Sequence, residues 1–252
     1  MVEQPGLLQV VREKMRTRHL AYRTEQAYLQ WIRRYLRFHQ RHHPRDLGAV
    51  GVEQFLTHLA VERKVSASTQ NQALQALLFL YRTVLGEDLP WLENVTRALR
   101  PRHLPVVLSR ADVRSVLAGL QGTSLLVAQL LYGSGLRLTE ALRLRVKDLA
   151  LERGELIVRD GKGGKDRRTV LPRSLVEPLQ VEVERVRILH ATDVAAGFGA
   201  VWLPHALARK YASGPRELGW QYVFPALRRS LDPRDDTERR HHVDPDFVSR
   251  AL

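Results

Sequence analysis

The stretch LLYGSGLRLTEALRLRVKDL, residues 130–149, decides how the rest of the chain is read. Apolar residues run up to Tyr132, break at Gly133-Ser134-Gly135, and restart with Arg137 set between Leu136 and Leu138. A helix that needed only to pack would carry Leu or Ala there. Arginine brings instead a planar, permanently charged fork that matches two phosphate oxygens at once. A glycine-rich helix start with open backbone amides also suits an anion. Glu140, three residues on, shares a helix face with Arg137 and is placed to brace it. The same pair serves equally as an ion pair closing a helix end, and this stretch alone leaves both readings open.

Composition narrows the partner. The chain has 252 residues, 44% of them apolar, enough for one large domain or two ordinary ones. Its formal charge is +13, which favours a polyanion, nucleic acid foremost, although a GC-rich genome, which makes sequences arginine-rich, would leave the same mark. Cysteine is absent, which removes disulfides, thiolate metal sites and thiol nucleophiles. No run approaches the roughly 18 apolar residues of a membrane span, and MVEQPGLLQVVREK lacks the pattern of a secretory signal, so a cytoplasmic protein without a membrane partner is expected. Lysine is scarce, yet Lys147, Lys162 and Lys165 cluster at and close to the opening stretch.

Read along its length, the chain divides in two. Residues 7–41 carry Leu20, Tyr28, Ile32, Tyr35 and Leu36 at helical spacing, and Pro44 is read as ending that segment. A short helix is expected near Val52–Glu62. Another, capped by Ser66 or Ser68, places Leu74, Leu77, Leu78, Tyr81 and Leu85 on one face and ends at Gly86. Residues 1–96 thus read as an all-helical unit. Residues 97–108 form a basic, proline-broken linker in which Arg97, Arg100 and Arg102 suit a phosphate backbone, or merely a solvated connector. The second unit, 109–252, opens on a capping-box-like Ser109 and Asp112, followed by helices near 124–132 and 138–145. ELIVR (155–159) and RRTVL (167–171) read as strands of a hairpin around GKGGKD, and a helix covers about 174–190. Residues 191–240 read as irregular.

The hairpin shifts the balance at Arg137. Lys162 lies in its glycine-flanked turn, 25 residues later, where an ammonium reaches beyond the strands. GKGGKD lacks the spacing of a P-loop. Together Tyr132-Gly-Ser-Gly-Leu-Arg137-Leu-Thr-Glu140-Ala-Leu-Arg-Leu, Asp148 and GKGGKDR resemble the two linked motifs of the tyrosine recombinase (phage integrase) family, and the helical first unit resembles its core-binding domain. The finer likeness is to integron integrases. AYRTEQAYLQWIRRYLRFH, ERKVSASTQNQALQALLFLYRTVL, DLPWL and an insertion-like segment at about 191–242 (LPHALARKY, GWQYVFP, DPR, RRHH) carry it.

The resemblance implies a mainly α fold with a small β-hairpin: a helical, SAM-like core-binding domain and a mixed α/β catalytic domain. It implies DNA strand cleavage and rejoining through a 3′-phosphotyrosyl bond, without metal or other cofactor. Arg137 would bind the scissile phosphate, Lys162 would protonate the leaving oxygen, and Glu140 would support Arg137. Lys165 and the linker arginines would contact DNA. Trp220, Pro233, His241 and His242 would grip bases flipped out of a folded single-stranded hairpin, the alternative being a locally packed tryptophan with solvated histidines. Partners would be a double-stranded site, that hairpin, and further copies of the chain on DNA.

One departure is large. The family's second box, H-x-L-R-H followed by the nucleophilic tyrosine, occurs nowhere among these residues, and Tyr22, Tyr28, Tyr35, Tyr81, Tyr132, Tyr211 and Tyr222 all fall outside the nucleophile's place in the order. The expectation is a catalytic domain incomplete at its C-terminus, which binds DNA but lacks the nucleophile. The competing reading is a DNA-binding protein that uses the recombinase scaffold without catalysis. His42-His43 and His241-His242, without cysteine or a spaced carboxylate, do not suggest a metal site, and Asp235-Asp236 reads as a solvated pair.

Overall fold

The computed structural model describes residues 6–89, 106–161, 164–233 and 235–252. They fall into two compact units, Met1–Pro105 and Val106–Leu252. Among the described residues no helix is long and apolar enough to cross a membrane.

The first unit is helical: α1 (Leu7–Thr17), α2 (Tyr22–Phe38), α3 (Pro44–Val61) and α4 (Ala67–Leu78), with α4 running into a π-helical turn, Phe79–Leu85. The single helical segment expected over 7–41 is two helices. His19 takes a left-handed φ of 54° between them, and buried Glu25 on α2 draws in Arg16 at 3.2 Å and Arg12 at 3.5 Å from α1. Pro44 starts a helix rather than stopping one. It sits in the first turn of α3, where its missing N–H leaves no bond unmade. Ser66 caps α4 through the Thr69 N–H, and Gly86 closes the π turn at a φ of 71°.

Tyr35 and Tyr81 are fully buried at the centre of this unit. Their hydroxyls meet at 2.7 Å, and Tyr81 donates onward to the Pro44 carbonyl at 2.7 Å, so neither buried oxygen is stranded. Around them pack Leu29, Ile32, Phe55, Leu59, Leu77 and Leu80. The pair ties α2 and the π turn to the start of α3.

In the second unit, Ser109 and Asp112 form the expected reciprocal cap on α5 (Arg110–Ala118). There follow α6 (Gly122–Ser134) and α7 (Leu138–Leu142), then β1 (Leu149–Ala150), β2 (Glu155–Val158) and β3 (Arg167–Val170) in one antiparallel sheet. Opposed pairs Leu156–Thr169 and Val158–Arg167 set the hairpin register. Leu156 and Val158 point into a core with Leu130, Leu142, Leu144 and Leu179, the last from α8 (Val176–Ala195). The region expected to be irregular holds α9 (His205–Lys210) and a two-stranded hairpin, β4 (Ser230–Leu231) with β5 (Glu238–Arg239). Beyond it, α10 (Pro245–Ala251) buries Val248 in the same core.

Tyr81→Phe removes one hydroxyl and leaves two buried partners, Tyr35 Oη and the Pro44 carbonyl, short of a bond. The expected cost is about 1–3 kcal/mol, read as a lowered denaturation midpoint by far-ultraviolet circular dichroism. An unchanged midpoint would show that the hydroxyl chain does not hold the helices together.

Candidate active site

Between Gly135 and Asp148 the chain repeats one local device. Gly135 ends α6 in the left-handed conformation (φ 63°) and turns the chain so that Arg137 stands as N-cap of α7. The Arg137 N–H then donates to Glu140 Oε2 at 2.9 Å, and its guanidinium donates to Glu140 Oε1 at 2.8 Å. Eight residues on, the Arg145 N–H donates to Asp148 Oδ2 at 3.1 Å in the same geometry. Each carboxylate is buried, and each receives a second arginine from the hairpin. Arg167 on β3 donates to Glu140 through both nitrogens, at 2.9 and 2.6 Å. Arg159, just past β2, donates to Asp148 Oδ1 at 2.7 Å. Two buried carboxylates therefore bolt the hairpin to the segment that presents Arg137.

The two arginines on Glu140 differ in use. Arg167 gives its fork to the carboxylate, whereas the Arg137 side chain keeps 57% of its surface exposed. Arg137 is the more exposed of the two, and Arg167 braces the shared carboxylate from the hairpin. Hydrogen bonding from Arg167 first, then from Arg137, outweighs burial and holds the Glu140 carboxyl down at about 2. The expected open amide at this helix start is taken, because Glu140 accepts the Arg137 N–H.

Lys162 lies outside the described residues, as do Arg97, Arg100 and Arg102. The base of the Lys162 loop is described. Asp160 N–H donates to Asp166, Gly161 N–H to the Lys165 carbonyl, and Gly164 N–H to the Gly161 carbonyl. Gly161 presses so closely on this site that an added Cβ would lie 3.0 Å from Arg167 Nη1 and 3.4 Å from Glu140 Oε1. The exposed Lys165 side chain leaves the loop beside it.

The same segment also contacts the region at about 191–242. Val146 N–H donates to the Gln221 carbonyl and Val223 N–H to the Leu144 carbonyl, a short antiparallel contact. The half-buried Arg145 side chain donates to the Trp220 carbonyl, to the Trp202 carbonyl at 3.0 Å and to Tyr222 Oη at 3.4 Å. The Lys147 ammonium stands over the half-buried Trp220 ring. His242 meets Tyr222 edge-on at 5.3 Å and bonds the Val243 carbonyl, and burial pushes its imidazole down from its ordinary value. The Trp220 ring itself meets Tyr211 at 6.0 Å. His241 is partly buried, and its carbonyl accepts from Ala226 N–H; Pro233 is exposed in the turn between β4 and β5.

One expectation about a polar run needs correction. Asp235 is not merely solvated: it takes both ends of Arg239 at 2.7 Å. The arginines of RRHH are largely consumed, since buried Asp193 binds Arg240 at 2.6 and 2.8 Å and Arg229 at 2.8 Å. Among the described residues no three His, Asp or Glu side chains converge as a metal site would require.

Both units of the chain are similar to known proteins. Residues 107–196 match the phage integrase family and residues 7–91 match the phage integrase N-terminal SAM-like domain. An integrase/recombinase of Escherichia coli is 48% identical over 246 residues, covering 98% of this chain and 73% of that protein. Tyrosine recombinase XerA of Thermococcus kodakarensis is 34% identical over 164 residues, covering 64% of this chain and 55% of that protein. Among solved structures, the Tn1549 transposon integrase in complex with transposon right end DNA superposes with a TM-score of 0.53 at 19% identity, covering 79% of this chain and 68% of that one. The last likeness is one of fold.

Glu140→Gln tests the buttress. With the folded carboxyl held at about 2 against an ordinary 4.5, the ionised pair stabilises fully above about pH 4.5, and that stability is lost as pH falls toward 2. The variant should lose about 1–3 kcal/mol near neutrality and show a flatter acid limb in denaturation measured from pH 7 to 2. A variant as acid-sensitive as the parent would remove Glu140 from this role.

Proposed function

This chain belongs to the phage integrase family, the tyrosine recombinases of site-specific recombination, and from that premise we propose that it acts in the integration of gene cassettes as an integron integrase does. The observation that carries the proposal is the exposed Arg137 guanidinium, oriented by buried Glu140 and backed by Arg167 at the foot of the Lys162 hairpin. A phosphodiester between Arg137 and that hairpin would share its nonbridging charge with the guanidinium, while the Lys162 ammonium donates a proton to the departing 5′ oxygen. Residues 1–96 would clamp DNA as a core-binding domain, 97–108 would be the linker, and 109–252 would carry these catalytic groups. Arg97, Arg100, Arg102 and Lys165 would contact the backbone. Cassette specificity would come from the segment at about 191–242. There the half-buried ring of Trp220, with His241, His242 and Pro233, would receive bases extruded from a folded single strand.

Neither the H-x-L-R-H box nor a tyrosine in the nucleophile's place occurs within these 252 residues. In-line attack needs a nucleophile about 3–3.5 Å from phosphorus. The 252-residue polypeptide should therefore retard recombination-site DNA on a native gel and lose that retardation steeply as salt rises. With a nicked suicide substrate it should leave no covalent band on a denaturing gel. Arg137→Ala should weaken the native complex about tenfold or more. A covalent band would mean that one of the seven tyrosines attacks, and salt-independent binding would oppose the phosphate reading.

The base grip is tested with two hairpins, one carrying extrahelical bases and one without them. Trp220→Ala should weaken the first by about tenfold or more, since a stacked base contributes about 1–3 kcal/mol, and leave the second nearly unchanged. Equal weakening of both would exclude Trp220 from the grip.

A further inference from the structure

Lys147 has an unusual station. Asp148, the nearest carboxylate in sequence, is already engaged by Arg159 and by the Arg145 N–H. Among the described residues no carboxylate stands within ion-pairing distance of the Lys147 ammonium, which lies instead against the face of Trp220. A Cβ added at Gly219 would lie 3.5 Å from the Lys147 Cβ, so the Lys147 stem runs close beside the Gly219 backbone while its tip covers the indole. The Trp220 main chain is tied at its carbonyl by the Arg145 guanidinium, which also lies 4.5 Å from the Tyr222 ring centre. The result is a tethered aromatic platform whose face is covered by the end of a flexible four-carbon chain. A cation–π contact in a partly solvated setting contributes only about 0.5–2 kcal/mol, less than the stacking of a base together with a charge-assisted bond to phosphate.

We propose that Lys147 is a movable cap on the Trp220 face: an incoming unpaired nucleotide stacks its base on the indole, displaces the ammonium, and receives it as a donor on its own phosphate. This deepens the base-grip reading of Trp220 and rests on it. Lys147 then acts as a specificity-determining residue. It rewards a base that arrives with its phosphodiester and gives nothing to an apolar group that merely fits the ring.

The electrostatic surroundings are consistent with such a role. Burial first, then Arg159 and Arg145, push the Lys147 ammonium down to about 8, against the opposing pull of Asp148 and Glu217. Those four charged groups and the Trp220 face are its surroundings. A phosphate would restore the positive form, so binding through Lys147 takes up a proton above pH 8 and weakens as pH rises through that value.

The test measures affinity for the bulged and unbulged hairpins at low salt from pH 6.5 to 9.5, with the parent chain, Lys147→Met, Lys147→Arg and Trp220→Ala. The parent should favour the bulged hairpin and lose that preference above pH 8. Lys147→Met should reduce bulged affinity roughly tenfold at pH 7 and abolish the pH dependence. Lys147→Arg should restore affinity and keep it to pH 9.5, because guanidinium does not titrate there. If Trp220→Ala removes the preference but both lysine variants behave as the parent, the cap is refuted and the base grip stands. If Trp220→Ala weakens both hairpins equally, the base grip fails and the cap with it. A thermal-unfolding midpoint for Lys147→Met lowered as much as that for Trp220→Ala, with parental hairpin preference, would assign Lys147 to packing alone.

Discussion

Two buried carboxylates, Glu140 and Asp148, organise the second unit. Each accepts the N–H of an arginine three residues before it and the guanidinium of an arginine from the β2–β3 hairpin. Burial removes water from these oxygens, so the arginines are not optional decoration: an unpaired carboxylate there would be strongly penalised. The hydrophobic core beneath brings the hairpin close, with Leu156 and Val158 against Leu142 and Leu144, but apolar contact is indifferent to sliding. The ion pairs supply the directional part. They determine where the hairpin's foot stands relative to Arg137, and any chemistry asked of Lys162 depends on that placement.

Much of this was legible in the chain because the signals are local. The break at Gly133–Gly135, the reciprocal cap at Ser109 and Asp112, and the turn residues of the hairpin each act within a few positions. Arg137 and Glu140 were legible for the same reason. Arg167 was not singled out, although it directly follows GKGGKD, because its partner is 27 residues away and helical spacing says nothing of such a pair. Arg145, Lys147 and Arg159 were hidden likewise: their partners lie across the sheet or in the insertion. Pro44 misled because proline signals either a helix start or a helix stop, and only the cap before it decides.

The basic composition also reads differently once the pairs are known. A formal charge of +13 suggests a surface given over to polyanions. Yet Arg229, Arg239 and Arg240 are committed to Asp193, Asp232, Asp235 and Glu238, where they hold the β4–β5 hairpin to α8. In this region arginine works as mortar for a segment with few apolar residues of its own, so the charge that can meet a phosphate is smaller and more localised than the total. Unlike those three, Arg137 keeps more than half of its side-chain surface exposed while paired with Glu140.

The π-helical turn at Phe79–Leu85 has a consequence of phase. Wide turns of this kind carry one residue more than an α-helix would need, and each residue advances the helix by about 100°. Tyr81 lies inside that turn, on the face of buried Leu74 and Leu77, and its hydroxyl reaches both Tyr35 and Pro44. Removing a residue upstream of Tyr81 would turn the tyrosine by about 100° and carry it out of the core. Substitutions along this helix are tolerable by degrees, but a change of length is all or none.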